Sequence, residues 1–477
     1  MNRNDFDEAM KQVDKDIVSE AGNKKSRKGL FIGLGTSAAC ILVAVAVLTT
    51  FLLSGRSKAV LDSGGLPVSY DYKDGVLGER TGKGDSYKEY EMSESMPVPA
   101  PGSSVEYGSK EAFVSDGEMP YYPVIENGPA AGTLTAGEWR DIDNLSDWFK
   151  LIRDNNWYKY SEQRNLYTNK AVTVKVKDGD APCFNVKVSL KDGETVISEA
   201  RTDINGNAYL FYNLTKEEKF TPKTVTVNGI NYEVSGDTLE IDAKNAGVKL
   251  KEIDLMYMVD TTGSMGDELE YIKAELADMV KRISAADESV SIRISVNFYR
   301  DDGDDYIVKY YDFRNDINDV LKLIGDETAN GGGDFPEAVH TALENAVTGH
   351  QWRNNALKLC FFVLDAPPHD ESEIEGINAN IKASLVKAAA EGIRIIPVFC
   401  SGADQASEYL FRSFAVITGG TFVFLTDDSG ISVGQHEETS VGEYDVEKLN
   451  DCMVRIVCEY AGFTYTAPRS GGNNPQQ

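Results

Sequence analysis

The stretch Ile253-Asp254-Leu255-Met256-Tyr257-Met258-Val259-Asp260-Thr261-Thr262-Gly263-Ser264 decides the fold. Its first seven residues form an almost unbroken apolar run, and a polar turn containing a glycine follows at once. A strand that is apolar on both faces is buried on both faces, which suits a parallel strand covered by helices. Similar runs recur at Val290–Phe298, Ala356–Leu364, Ile393–Phe399 and Thr421–Leu425. Amphipathic helical stretches near 265–284, 336–347, 375–390 and 405–417 alternate with them. Asp305–Phe313 reads as an antiparallel edge beside the second run. This alternation predicts an α/β fold with a doubly wound, mostly parallel sheet, and ligands of such sheets bind at the carboxyl ends of the strands.

Three loops meet that rule: Asp260-Thr261-Thr262-Gly263-Ser264, Gly331-Gly332-Gly333-Asp334-Phe335-Pro336-Glu337 and Asp365-Ala366-Pro367-Pro368-His369. In the expected topology they lie side by side and present the Thr262 and Ser264 hydroxyls with the Asp260, Asp334 and Asp365 carboxylates. Such hard oxygen donors select Mg²⁺, Mn²⁺ or Ca²⁺ over Zn²⁺ or copper. Asp260, Thr262 and Ser264 are spaced by two, so an extended turn points all three the same way.

At this point Asp260-x-Thr262-x-Ser264 resembles the D-x-[ST]-x-S element of the von Willebrand factor type A family. With Asp365 it is similar to that family's metal-ion-dependent adhesion site. The resemblance covers roughly residues 251–462, and the 299–306, GGGD-x-PE and DAPPH segments resemble a bacterial, membrane-anchored branch. It implies a divalent cation, Mg²⁺ first with Mn²⁺ or Ca²⁺ as alternatives. Thr262 and Ser264 would coordinate directly, and Asp260 and Asp365 mostly through water. It also implies a partner protein or other oxygen-rich ligand that completes the coordination. Asp334 departs from the pattern, since many members have Thr there. A third carboxylate is expected to tighten cation binding and blunt attraction to an acidic partner.

Blander readings exist for each loop. Ser264-x-x-Asp267 and Asp334-x-x-Glu337 fit helix N-caps with an acid three residues on, and Pro336 suits a first helical turn. The joint pattern in three ordered loops favours the ion. His369 with Asp370, Glu371, Glu373 and Glu375 reads as a solvated acidic loop, and Asp301, Asp302, Asp304 and Asp305 around Gly303 read as a hairpin turn.

Upstream, residues 170–249 switch to a period of two: Val172, Val174 and Val176, then Val186, Val188 and Leu190, then Val225 and Val227, Tyr232 and Val234, Leu239 and Ile241. Asp-Gly and Asn-Gly pairs separate these short strands, which predicts a β-sandwich. Around Thr202-Asp203-Ile204-Asn205-Gly206-Asn207-Ala208 the chain resembles carboxypeptidase-regulatory-like and related Ig-like modules, which implies a spacer. Residues 131–169 hold Trp139, Trp148 and Trp157 and read as an aromatic helical connector, with Trp148, Leu151 and Ile152 on one helix. Residues 54–130, rich in Gly, Ser, Pro and Tyr, read as a disordered linker, as do 464–477 as a tail. The GERTGKG segment at 78–84 lacks the spacing and the Ser/Thr of a phosphate loop.

Leu30–Leu53 is uncharged and mostly apolar, long enough at about 1.5 Å per residue to cross a ~30 Å hydrocarbon core. Lys24, Lys25, Arg27 and Lys28 precede it, so residues 1–28 are expected to be cytoplasmic, 29–53 transmembrane and the rest extracytoplasmic, with a bacterial cell membrane as the expected location. The chain of 477 residues carries a net charge of −28, which excludes phosphate backbones as natural partners. It contains no Gly-x-Ser-x-Gly elbow, no His-Glu-x-x-His and only 4 His, so catalysis is not expected. Apart from Cys40 in the span, the cysteines are expected to be mostly free, buried thiols. The sequence thus predicts a membrane-anchored adhesion or binding protein working through residues 250–463. A sensor or assembly factor that relays ligand binding through the N-terminal tail is the competing reading.

Overall fold

The computed structural model describes residues 69–73, 76–80, 129–284, 289–400, 404–426 and 444–465. Leu30–Leu53 and the tails 1–28 and 466–477 lie outside them. Among the described residues no helix is long and apolar enough to cross a membrane.

Along the chain come strands β1 (Ser69–Lys73), β2 (Val76–Arg80) and β3 (Thr135–Trp139), then helices α1 (Leu145–Asp154) and α2 (Tyr158–Arg164). An all-β module follows: β4 (Ala171–Asp178), β5 (Ala181–Pro182), β6 (Lys187–Asp192), β7 (Thr195–Arg201), β8 (Asn207–Phe211), β9 (Thr224–Val227), β10 (Ile230–Glu233) and β11 (Thr238–Asp242). The α/β part then runs β12 (Glu252–Asp260), α3 (Gly266–Ser284), β13 (Ser291–Tyr299), β14 (Val308–Lys309), α4 (Ile317–Asp326), α5 (Val339–Thr348), β15 (Leu357–Leu364), α6 (Ile377–Glu391), β16 (Ile393–Phe399), α7 (Gln405–Thr418), β17 (Phe422–Thr426), β18 (Glu447–Lys448) and α8 (Leu449–Ala461).

The large sheet has the order β1-β2-β14-β13-β12-β15-β16-β17-β3-β18. Its five central strands, β13, β12, β15, β16 and β17, are mutually parallel. The chain enters at β12, moves out to β13, then crosses back to β15 on the other side, which puts the topological switch point at the carboxyl end of β12. Period-two alternation divides each buried strand between two cores. Leu255, Tyr257 and Val259 of β12 face one cluster with α3, α4 and α8. Met256 and Met258 face the other, with α1, α5, α6 and α7. The expected antiparallel edge is present, with Phe298 opposite Lys309 and Tyr299 opposite Val308.

The β module has two sheets, β10-β9-β6-β7 and β11-β4-β5 with β8 also on β4. Val172, Val174 and Val176 of one sheet share a core with Val188, Leu190, Val225 and Val227 of the other. The five described cysteines, Cys183, Cys360, Cys400, Cys452 and Cys458, are free and buried.

Three features differ from the sequence reading. Helix α5 begins at Val339 with Ala338 as an N-cap that makes no side-chain bond, so Asp334, Pro336 and Glu337 lie in the loop before it. Within the stretch read as a linker, β1 and β2 pair with each other and β2 pairs with β14. The aromatic connector supplies strand β3, antiparallel to β17. Gly137 permits this close approach, since a Cβ there would lie 2.4 Å from the Phe424 ring.

Candidate metal centre

The first loop leaves β12 at the switch point and folds around its own aspartate. Asp260 is fully buried, and its Oδ1 accepts the Thr262 N–H at 2.9 Å and the Thr262 hydroxyl at 2.7 Å. Thr262 Oγ1 and Ser264 Oγ lie 3.0 Å apart, so the two hydroxyls point to one place as the spacing predicts. Two backbone bonds stitch this loop to the glycine loop, from Gly263 N–H to Gly331 O and from Asn330 N–H to Thr261 O, both 3.0 Å.

Beneath it, a polar cluster fixes Thr261. Its Oγ1 lies 2.8 Å from the Tyr306 hydroxyl, which donates to Glu327 at 2.7 Å. Arg300 donates to the carbonyls of Thr261 and Thr328. These groups brace two of the three loops.

Asp365 directly follows β15 and is 5% exposed. Helix α2 holds the loop that follows: Arg164 donates to the His369 carbonyl at 2.6 Å and the Pro368 carbonyl at 2.9 Å. The Ser264 side chain lies beside the Asp365 carboxylate. Glu337, 2% exposed, joins the same group, because its N–H donates to the Pro367 carbonyl at 2.9 Å and its side chain sits against Thr262.

One oxygen of each buried acid, Asp260 Oδ2, Glu337 Oε2 and Asp365 Oδ1, has no hydrogen-bond partner. Burial pushes Asp260 and Asp365 above the usual carboxylate range, helped by the charge of Asp301 on Asp260 and by those of Asp260 and Glu268 on Asp365. Burial, with the charges of Asp260, Asp301 and Asp365, raises Glu337 to about 9. Unpaired carboxylates out of water are costly, and a hard cation satisfies them. The donor set therefore fits a divalent ion, with Thr262 and Ser264 as neutral ligands.

Asp334 is placed differently. It is exposed and groups with His369 and Glu373, their ligand atoms within 4.8 Å of one another. The loop read as solvated is in fact anchored there. His369 Nε2 lies 2.9 Å from Asp301 Oδ1 and Nδ1 lies 3.3 Å from Glu373 Oε2. Burial opposes its charge, but these two carboxylates prevail and raise its pKa. The 301–305 segment is a turn as expected, and it also serves the site: Asp304 accepts the N–H groups of Asp301 and Gly332. Sequence reasoning missed Glu337 as a site residue because its spacing from Asp334 mimics a helix cap.

A hydroxyl pair and buried acids thus meet at the switch point of a wound, mostly parallel α/β sheet. Residues 254–427 match the family described as von Willebrand factor A domain, and the chain carries such a domain. It is similar to a putative ariadne-like RING finger protein of Acanthamoeba polyphaga mimivirus, 30% identical over 186 residues, covering 36% of this chain and 18% of that protein. It is also similar to the alpha-protein kinase vwkA of Dictyostelium discoideum, 24% identical over 139 residues, covering 27% of this chain and 22% of the kinase. The chain spans about a fifth of the length of these curated relatives. Among solved structures it aligns with the conserved hypothetical protein BatB from Bacteroides thetaiotaomicron at TM-score 0.30 and 11% identity, covering 44% of this chain and 99% of BatB. It also aligns with proximal thread matrix protein 1 from the mussel byssus at TM-score 0.27 and 16% identity, covering 35% of this chain and 40% of that one.

Proposed function

We propose that the protein is a non-catalytic, cation-dependent binding protein. A divalent ion, Mg²⁺ first, sits among Asp260, Thr262, Ser264 and Asp365, and Asp334 adds negative charge from the rim. The observation that carries this reading is the set of orphaned oxygens on buried acids beside a pair of convergent hydroxyls. A von Willebrand factor A domain fits a role in protein–protein contact, and the partner would be a protein or another oxygen-rich ligand. Beside the third loop, Phe335, Pro336, Pro367 and Pro368 line a groove of about 200 Å³ that would receive a side chain of that partner.

Calorimetric titration of the full chain with Mg²⁺ and Mn²⁺ tests the site. One ion per chain is expected, and Asp365→Asn should weaken it by at least about ten-fold. Asp334→Thr, altering an exposed residue, should cost less. Equal affinity in all three proteins would reject the assignment.

The same proposal places the protein in a bacterial membrane through Leu30–Leu53, with the β module as spacer and the metal site outside. Its support is the uncharged apolar run with four basic residues before it. Retention in the membrane pellet after an alkaline wash, lost on deleting residues 30–53, is the expected result. Release of the intact chain by that wash would count against it.

A further inference from the structure

Glu337 has no assigned role, yet it is as deeply buried as Asp260 and Asp365. A cap is excluded, because α5 starts two residues later on Ala338 without a side-chain bond. Among the described residues, no ion pair reaches Glu337, Asp260 or Asp365. Its backbone is pinned to the loop of Asp365 through the Pro367 carbonyl. Its side chain is pinned between Thr262 and Gly332, because a Cβ on Gly332 would lie 2.9 Å from Glu337 Oε1 and 3.1 Å from Thr262 Cβ. With Oε1 held there, Oε2 is the unpartnered oxygen, and the charges that act on the carboxylate are those of Asp260, Asp301 and Asp365. A buried acid surrounded by acids and lacking a counter-charge either keeps its proton or takes a cation, and one divalent ion beside the three unpartnered oxygens satisfies them together.

We propose that Glu337 is a resident carboxylate of the cation site, completing a set of three with Asp260 and Asp365. This inference rests on the proposed cation site. It also defines the class of partner. Three carboxylates around a divalent ion leave a net charge of −1, so the occupied site repels an acidic group and favours a neutral oxygen or a basic side chain. The chain itself thus supplies the acid that the ion requires.

Chemical rescue tests this, with Mn²⁺ titrated into the full chain and acetate as the probe. Wild type is expected to bind Mn²⁺ equally with or without acetate. Glu337→Ala opens a carboxylate-sized space, so Mn²⁺ affinity should fall by about ten- to a hundred-fold and largely return on adding acetate. Unchanged affinity in Glu337→Ala, or a loss that acetate does not restore, would overturn the inference while the site itself stands. Wild type that binds no Mn²⁺ would overturn the site and this inference together. Should Glu337→Ala fail to fold, the near-isosteric Glu337→Gln decides: at least ten-fold weaker binding supports the role, and wild-type affinity removes it.

Discussion

Gly332 shows how much one residue carries. Its φ of +70° lies in the left-handed region that glycine enters freely. The space where a side chain would stand is taken by Glu337 and Thr262. The glycine run is therefore a means of bringing two acidic loops into contact, and it was legible as a loop but not as a contact. His350 is a contrasting residue, remote from this chemistry. It packs edge-on against Tyr310 and Phe313, with Nε2 3.2 Å from Asn345 Oδ1 and no partner on Nδ1. Burial lowers its pKa to about 4, against a weaker opposite pull from Asp312. The unfolded chain then binds the proton more tightly than the fold does. Stability from this group is full above the unfolded value near 6.5 and is lost as pH falls toward 4. The difference corresponds to roughly 3 kcal/mol. Denaturant unfolding of wild type and His350→Gln at pH 7 and pH 4 should show the wild type losing about that much more than the variant. Equal losses would place His350 in a less buried setting.

At the scale of elements, the strands of the α/β part were legible because each is a near-continuous apolar run, and all five observed parallel strands fall within a residue or two of those runs. The helices from α3 to α7 were legible from their apolar stripes, except α4, which follows the polar stretch Asp312–Asp316. The partners of an edge were not legible. Strand β3 carries Thr-Ala-Gly-Glu-Trp, too short and too mixed to show a period. What places it is tertiary: five register pairs with β17, and the N–H groups of Gly132, Thr133 and Leu134 donating to the Glu275 carboxylate on α3. Helix α2 is similar, since its Arg164 grips the loop after Asp365 from a position no motif marks. The candidate site was legible at Asp260, Thr262, Ser264 and Asp365, where chemistry and spacing coincide. It was less so at Asp334 and Glu337, where one loop offers two acids and only packing decides which is buried.

For the molecule as a whole, these cross-links mean that the wound sheet is finished by residues from the other side of the β module. Residues 129–169 come before that module in the chain, yet they cover the last parallel strand and one face of α7. Trp148 and Trp157 stack on and against Tyr409 of α7. Arg412, 1% exposed, is held by Asp141 and Glu408 beneath three tryptophan rings. Removing the connector would lose the burial of Trp148 and Trp157 against α7, roughly 1.5–3 kcal/mol for each large side chain and so at least about 3 kcal/mol together. It would also uncover the edge of β17, whose Phe-Val-Phe-Leu-Thr sequence is the kind that pairs with other chains. A fragment of residues 250–465 contains the whole matched domain, yet it should melt at least about 6 °C below a fragment of residues 129–465 and should associate through the bared edge. Thermal unfolding of the two, followed by sedimentation of each, makes the comparison. If 250–465 melts with the longer fragment and stays monomeric, the connector is a passenger on the domain. If it does not, the unit that folds around the candidate ion is larger than the unit its sequence family describes.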